Sequence, residues 1–401
     1  MNQYIHLLKS EPVLRRLSLI QLIAYFGAWF SNVAIYTLLL QLDVSPAIIA
    51  VTAAMHFIAG IIQAPFSGTI VDRVQPKKLM LALLSVEIVA TLLLLSIATL
   101  EDVWFLFVLI FVRMSAASFY FTAEMSLLPK ILKGAKLQKA NEIHSIIWSI
   151  SYTLGMALSG FVVYAVGVKV AFILDALLFV LSFFLLYSLP LAVTTYSAHE
   201  SVLGMMRDTF VYLKKYPTAF HLMLLHAFVG LTTFDALIAL MVNQYYASII
   251  AISLALGFLN ASRALGLVIG PMVLGNWITN TRLIYIFIAQ ALAIWIWAYV
   301  MENFYLSLLA SVLVGFFTTT LWSYTYTLLQ KNIEEKYYGR IVAYNDMFFL
   351  SSATITSLAI GFLASHGFSL AFITTALGCG FILGALYFAW ILKTKTLKEV
   401  L

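Results

Sequence analysis

The sequence predicts an all-α integral membrane protein of twelve spanning helices in two six-helix pseudo-repeats, and three observations lead there. The 401 residues are 63% hydrophobic and only 10% charged, with a mean hydropathy of +1.00, whereas soluble domains run near 45–50% apolar and about 25% charged. The apolar residues come in runs of roughly 20, the length that crosses a bilayer as a helix, rather than in the apolar/polar alternation of a membrane barrel. Basic residues punctuate every second gap between runs. This composition excludes a secreted enzyme, a nucleic-acid-binding domain, a disordered chain and a coiled coil. The single Cys379 excludes an internal disulfide. The first 16 or so residues lean polar and lead into an apolar run too long for a signal-peptide core, so no cleaved leader is expected.

Taken in order, the spans are Leu17–Leu42, Pro46–Val71, Leu79–Thr99, Val103–Leu128, Ile143–Val166, Val170–Leu189, Ala219–Val242, Ser248–Gly275, Leu283–Met301, Phe304–Leu329, Ile341–Ser365 and Phe368–Leu392. Pro46, Pro129, Pro190 and Pro217 fall where a helix should start or stop. The one long polar interruption, Pro190–Thr218, separates residues 1–189 from 219–401. Within it Val202, Met205, Met206, Phe210 and Leu213 recur at helical spacing among Arg207, Asp208, Lys214 and Lys215, which predicts a short amphipathic helix over Glu200–Tyr216 on the membrane surface. With the N-terminus in the cytoplasm, 20 of the 23 basic residues fall on inside segments, Lys169 alone lies outside, and Arg113 and Arg263 lie within spans. That asymmetry predicts cytoplasmic termini. The halves echo each other: Pro65 and Gly68 at the end of span 2 correspond to Pro271 and Gly275 at the end of span 8, and Leu127–Asn141 corresponds to Leu328–Val342. Parallel six-helix repeats are the plan of transporters that rock about a midplane site.

The most specific segment is the turn between spans 2 and 3, Gly68-Thr-Ile-Val-Asp72-Arg73-Val-Gln-Pro-Lys77-Lys78. It resembles the signature loop of the major facilitator superfamily, with Gln75 and Pro76 in place of the usual glycine and basic residue. The second-half loop Gly275–Arg282 has Thr279 where an Asp would repeat. The resemblance implies the major facilitator fold and a conformational gate. In it Asp72 meets the start of span 11 at Gly339–Arg340, where an acid suits the positive helix end, and Arg73 pairs with Glu124. Such contacts hold one access state and break in the other. The Leu174-Asp175-Ala-Leu-Leu-Phe run in span 6, the Tyr-Gly-Arg start of span 11 and the Gly155 region are most similar to the macrolide-efflux-like, or drug:proton antiporter-3, branch. Met156 stands where those efflux proteins carry a proline.

Charges inside spans are few: Glu87, Arg113, Asp175, Asp235, Arg263 and Asp346. An arginine at mid-membrane costs roughly 2.5–3.5 kcal/mol even on insertion scales, so each of these residues needs a partner or a role. At 1.5 Å per residue, Glu87, Arg113 and Arg263 come out near the midplane, and Asp175 and Asp235 in the outer half. Spans 1, 4, 7 and 10 line the cavity in the fold the resemblance implies, which singles out Arg113 and Asp235. Asp235, Arg113 and Glu87 are the proton-coupling candidates, Asp235 foremost as carrier. For Arg113 a structural ion pair is the other role, and structural pairing is expected for Asp175 and for Arg263 with Asp346. Tyr25, Trp29, Tyr120, Asp235, Trp322 and Tyr326 are the substrate-cavity candidates, because aromatic walls with few polar anchors suit bulky apolar or cationic molecules. Gly155-x-x-x-Ser159 and Gly266-x-x-x-Gly270 predict close helix crossings. His221 and His226 are five residues apart with no companion acid, a poor metal spacing. No metal, cofactor, catalytic residue or nucleic-acid partner is expected. His144 with Glu142 is too sparse a cluster for a membrane enzyme, and no P-loop is present for ATP hydrolysis.

The expected function is therefore proton-coupled efflux, by antiport and alternating access, of small hydrophobic or cationic compounds. The partners are a small-molecule substrate, protons and the lipid bilayer, and the protein is monomeric in a cell (inner, cytoplasmic) membrane. The alternative is a narrow transporter of a siderophore, metal chelate, lysolipid or sugar.

Overall fold

The computed structural model describes residues 2–191, 202–275, 277–334, 337–395 and 397. The described secondary structure is entirely helical, and twelve of its helices are long and apolar enough to cross a membrane. A short helix α1 (Asn2–Ser10) precedes them. The first six spans are α2 (Pro12–Gln41), α3 (Pro46–Arg73), α4 (Pro76–Leu93), α5 (Val103–Ile131), α6 (Gly134–Val166) and α7 (Val168–Tyr187). Helix α8 (Val202–Lys215) follows within the predicted amphipathic segment. Span 7 is α9 (Pro217–Ala227) and α10 (Asp235–Met241), and the remaining spans are α11 (Ile252–Leu274), α12 (Leu283–Val300), α13 (Phe304–Lys331), α14 (Tyr338–Ser365) and α15 (Leu370–Thr394).

The chain forms two compact units. One comprises Met1–Leu42 and Phe66–His199, the other Asp43–Pro65 and Glu200–Leu401. This division differs from the split at 189/219 by one segment, because Asp43–Pro65, with the first part of α3, groups with the second unit. The reason is close packing on α14. A Cβ built on Gly361 would lie 2.1 Å from the Ala50 Cβ and 2.9 Å from the Pro46 carbonyl, and one on Gly60 would meet Leu350 at 2.7 Å.

In the first unit, α2 crosses α6 where Gly155 takes the Trp29 side chain, 2.9 Å from where a Cβ would stand, and Ser159 Oγ donates to the Phe30 carbonyl at 3.1 Å. Its apolar core gathers Leu17, Ile20 and Ala24 of α2 with Met80, Leu84, Ala123, Leu127 and Phe179. Helix α1, absent from the expected elements, is amphipathic. Its Leu7 is buried with Leu14, Leu128 and Ile143, Tyr4 donates to Glu142 Oε2 at 2.8 Å, and Glu11 after it pairs with Lys136 at 2.7 Å.

In the second unit, α11 and α13 touch backbone to backbone. A Cβ on Gly266, Gly270 or Gly315 would fall 2.0 Å from the Val312 carbonyl oxygen, 1.9 Å from that of Phe316 and 2.1 Å from that of Arg263. Small residues at such a crossing let van der Waals contact hold helices together where no hydrophobic effect acts. Tyr212 of α8 stacks on Tyr337, ring centroids 4.1 Å apart, and its hydroxyl accepts from the Glu334 amide at 3.0 Å.

Span 7, expected as one continuous helix, is interrupted. Between α9 and α10 the chain tightens into a 3₁₀ turn over Phe228–Thr232. The Thr232 and Thr233 hydroxyls donate to the Val229 and Gly230 carbonyls at 2.7 and 2.8 Å, competing with the helical ladder. Arg263 Nη1 donates to the Thr232 carbonyl at 2.8 Å, and its guanidinium lies over the Phe234 ring. A broken helix at this depth is tolerated when protein groups re-satisfy the freed backbone, and Arg263 does so here. Gly230 at the break sits against Ser352 and the Ala353 amide, which a Cβ would approach to 2.7 and 2.8 Å.

Candidate functional site

Three helices of the first unit converge on a buried charge cluster. Arg113 of α5 bonds Glu87 Oε2 of α4 through Nε at 3.1 Å and Asp175 Oδ2 of α7 through Nη2 at 2.9 Å. The three residues are 2%, 4% and 0% exposed. From α2, Ser31 donates its hydroxyl to Asp175 Oδ2, while Gly27, one turn earlier, leaves room for Oδ1, which would lie 2.7 Å from a Cβ there. Asp175 Oδ1 has no hydrogen-bond partner among the described residues, and the Phe179 ring covers the guanidinium at 5.9 Å. One cation thus faces two carboxylates. With all three ionised the cluster carries a net −1, and one added proton makes it neutral. Burial of this kind is sustained only by pairing and hydrogen bonds.

Asp175 is paired, as the resemblance of its Leu-Asp-Ala-Leu-Leu-Phe run implied, and Glu87 and Arg113 share the pairing. Asp235 lies elsewhere: it is half-buried at the first position of α10 in the second unit and makes no ion pair among the described residues. Sequence reasoning missed Ser31 and Gly27. Their i, i+4 spacing on span 1, two small residues on one helical face, was the available signal.

The aromatic candidates fall into separate walls. In the first unit Trp29 sits edge-on to Tyr152 at 4.6 Å and to Trp148 at 6.3 Å, and Trp148 stacks on Tyr152 at 5.5 Å. Tyr25 is edge-on to His144 at 6.1 Å, and the His144 Nδ1 meets Gln21 Nε2 at 2.7 Å. Tyr120, 5% exposed, belongs to the apolar core of its unit. In the second unit Trp322 stacks on Tyr326 at 5.0 Å, both beside His226 of α9.

Of the expected gate, Gly68, Asp72, Arg73 and Gly339 lie outside the residues whose side chains are described. Arg340 is half-buried near the start of α14. Glu124 of α5 is 3% exposed, and its Oε2 has no hydrogen-bond partner among the described residues.

Twelve candidate spans among the described residues, in two compact units, define a polytopic helical membrane fold. The family model for the Major Facilitator Superfamily matches residues 17–245, and the chain belongs to that superfamily. It is 30% identical over 185 residues, 46% of its length, to the uncharacterized MFS-type transporter YfiS of Bacillus subtilis (strain 168). It is 25% identical over 174 residues to the uncharacterized MFS-type transporter YkuC of the same organism. The chain spans less than half the length of these curated relatives, 44% and 40%. Among solved structures, a bacterial homologue of the human lysosomal transporter Spinster, described as inward-facing and occupied, superposes with a TM-score of 0.76 at 12% identity, covering 96% of this chain and 97% of that one. The nucleoside transporter NupG gives 0.74 at 11% identity over 96% and 100%, and a D-xylose-proton symporter gives 0.74 at 11% over 93% and 96%. These likenesses establish the fold. The family and its structural neighbours are transporters, not enzymes.

Proposed function

We propose that the chain is a proton-coupled exporter of small hydrophobic or cationic compounds, close to the drug:proton antiporter-3 branch, in the cytoplasmic membrane with both termini inside. The observation that carries this reading is the Glu87–Arg113–Asp175 cluster. A site that balances charge only with one proton bound is a carrier that can load that proton on one side and lose it on the other. Each charge moved is worth about 2.3 kcal/mol per 100 mV. Arg113 holds both acids in place, and Ser31 and Gly27 fix Asp175 against α2. The partly exposed aromatic walls support an apolar, ring-bearing cargo over a heavily hydroxylated one, whose groups would each need a polar partner. Glu124 Oε2, without a hydrogen-bond partner among the described residues, supports a role as acceptor for Arg73 in the gate that the signature-loop resemblance implies with Gly68, Asp72, Gly339 and Arg340.

The test is dye transport by purified protein in liposomes with an imposed pH gradient. Wild type accumulates ethidium only while the gradient stands. Glu87→Gln and Asp175→Asn lose gradient-driven accumulation yet keep ethidium exchange, while Asp235→Asn keeps coupled transport. Transport unchanged when the gradient is collapsed refutes antiport. Coupled transport by both cluster variants moves the carrier elsewhere, and its loss in Asp235→Asn places it at α10.

A further inference from the structure

His226 closes α9 immediately before the break in span 7 and is 0% exposed. Its Nδ1 lies 2.8 Å from Thr325 Oγ1 on α13. A threonine hydroxyl has one proton, and Thr325 gives it to the helix: Oγ1 is 2.7 Å from the Leu321 carbonyl oxygen and 3.3 Å from that of Trp322. Thr325 Oγ1 therefore accepts from His226 Nδ1–H. In the neutral ring this assigns the other nitrogen, Nε2, as a bare acceptor, and Nε2 has no hydrogen-bond partner among the described residues. A buried acceptor left without a donor is costly, so a donor that reaches it is favoured.

Three rings surround it. Trp322, Tyr326 and Phe349 have centroids 5.8, 5.5 and 5.8 Å from the imidazole, the first two edge-on. Trp322 and Tyr326 are parallel to within 21°, and Trp322 is 40% exposed. The arrangement is an aromatic cluster, two stacked rings and a third, around a single buried acceptor, with Trp322 exposed at its edge. A flat molecule extends such a stack, a cation gains from the ring faces, and one N–H or O–H satisfies Nε2.

We infer that His226, Trp322, Tyr326 and Phe349 form a substrate subsite in the second unit for planar, ring-bearing molecules that present one hydrogen-bond donor, amines above all. The inference rests on the exporter reading and names the chemistry its substrate must have. His226 recognises the donor, Thr325 sets the tautomer, and the rings supply the apolar contact.

The experiment measures binding of two cations to the full-length protein in lipid nanodiscs: ethidium, planar with aryl-amine donors, and tetraphenylphosphonium, which has none. His226→Phe keeps a ring and removes the acceptor, while His226→Gln restores a polar group of similar reach. Ethidium affinity is expected to fall about tenfold in His226→Phe, which is 1.4 kcal/mol, and to recover most of that in His226→Gln. Tetraphenylphosphonium affinity stays within about twofold of wild type in both, which also shows that both variants are folded. Equal loss of both probes in His226→Phe, or loss of neither, overturns the subsite. If wild type binds neither probe, the exporter reading for hydrophobic cations falls and takes the subsite with it. Binding of both without discrimination at His226 leaves that reading standing and removes the subsite alone.

Discussion

Replacing Arg113 by methionine keeps most of the side-chain volume and removes the cation that pairs with two buried acids. Two short contacts are lost, 3.1 Å to Glu87 and 2.9 Å to Asp175, and neither acid can turn to water, their side chains being 6% and 0% exposed. Breaking a buried pair by removing one partner costs about 3–5 kcal/mol, because the other charge is left uncompensated. The same physics predicts a rescue. Replacing a whole buried ionic cluster with neutral groups is often neutral or stabilising by about 1–4 kcal/mol, so Glu87→Gln and Asp175→Asn added to Arg113→Met should recover most of what the single change loses. The assay is the apparent melting temperature in detergent, read by fluorescence-detected size exclusion after heating, beside gradient-driven ethidium transport in liposomes. Arg113→Met should melt well below wild type. The triple variant should melt near wild type and still show no gradient-driven transport. An Arg113→Met protein as stable as wild type would refute the charge-compensation argument. A triple variant no more stable than the single one would show that the loss is packing rather than charge.

Gly270→Ala drives a methyl to within 1.9 Å of the Phe316 carbonyl oxygen, so α11 and α13 must separate; overpacking of this kind costs about 1–3 kcal/mol, and a lowered melting temperature in the same assay checks it. Gly27→Ala pushes on Asp175 Oδ1 and should weaken gradient-driven transport more than it lowers the melting temperature; equal effects would mean a purely structural role. Lys136→Ala removes a pair whose lysine side chain is 59% exposed; exposed pairs contribute little, so stability and transport should both match wild type.

The twelve spans were legible because a bilayer demands long apolar runs, and the charged gaps set their limits. Each member of the buried cluster also stood out, since Glu87, Arg113 and Asp175 are conspicuous in apolar surroundings. Their meeting was not legible. It depends on which faces of α4, α5 and α7 turn inward, and helices apolar all round carry little periodicity to say so. The low-contrast contributions of Gly27 and Ser31 were hidden for the same reason. The break in span 7 had no proline to announce it; the local bonds of Thr232 and Thr233 are joined there by the packing of Gly230 on α14 and the bond from Arg263, both from elsewhere in the chain. His226 was weighed as a metal ligand by its spacing from His221, whereas its structural partner is Thr325, a span-10 residue that no local pattern connects to it. Helix α1 was passed over as a polar leader although Tyr4, Leu7 and Leu8 fall at helical spacing.

The glycine contact of α11 with α13 bears on how the chain enters the bilayer during synthesis. Span 8 emerges carrying Arg263 in its middle, a poor candidate for stable insertion by itself. Its helix partner is not the next span but the one after, so Gly315 meets the Arg263 carbonyl only when span 10 has followed. The carbonyl that Arg263 holds, at Thr232, has by then already been made. Until α13 arrives, span 8 has the preceding broken helix to hold it, through that bond and the Phe234 ring among its contacts, and not yet the glycine crossing.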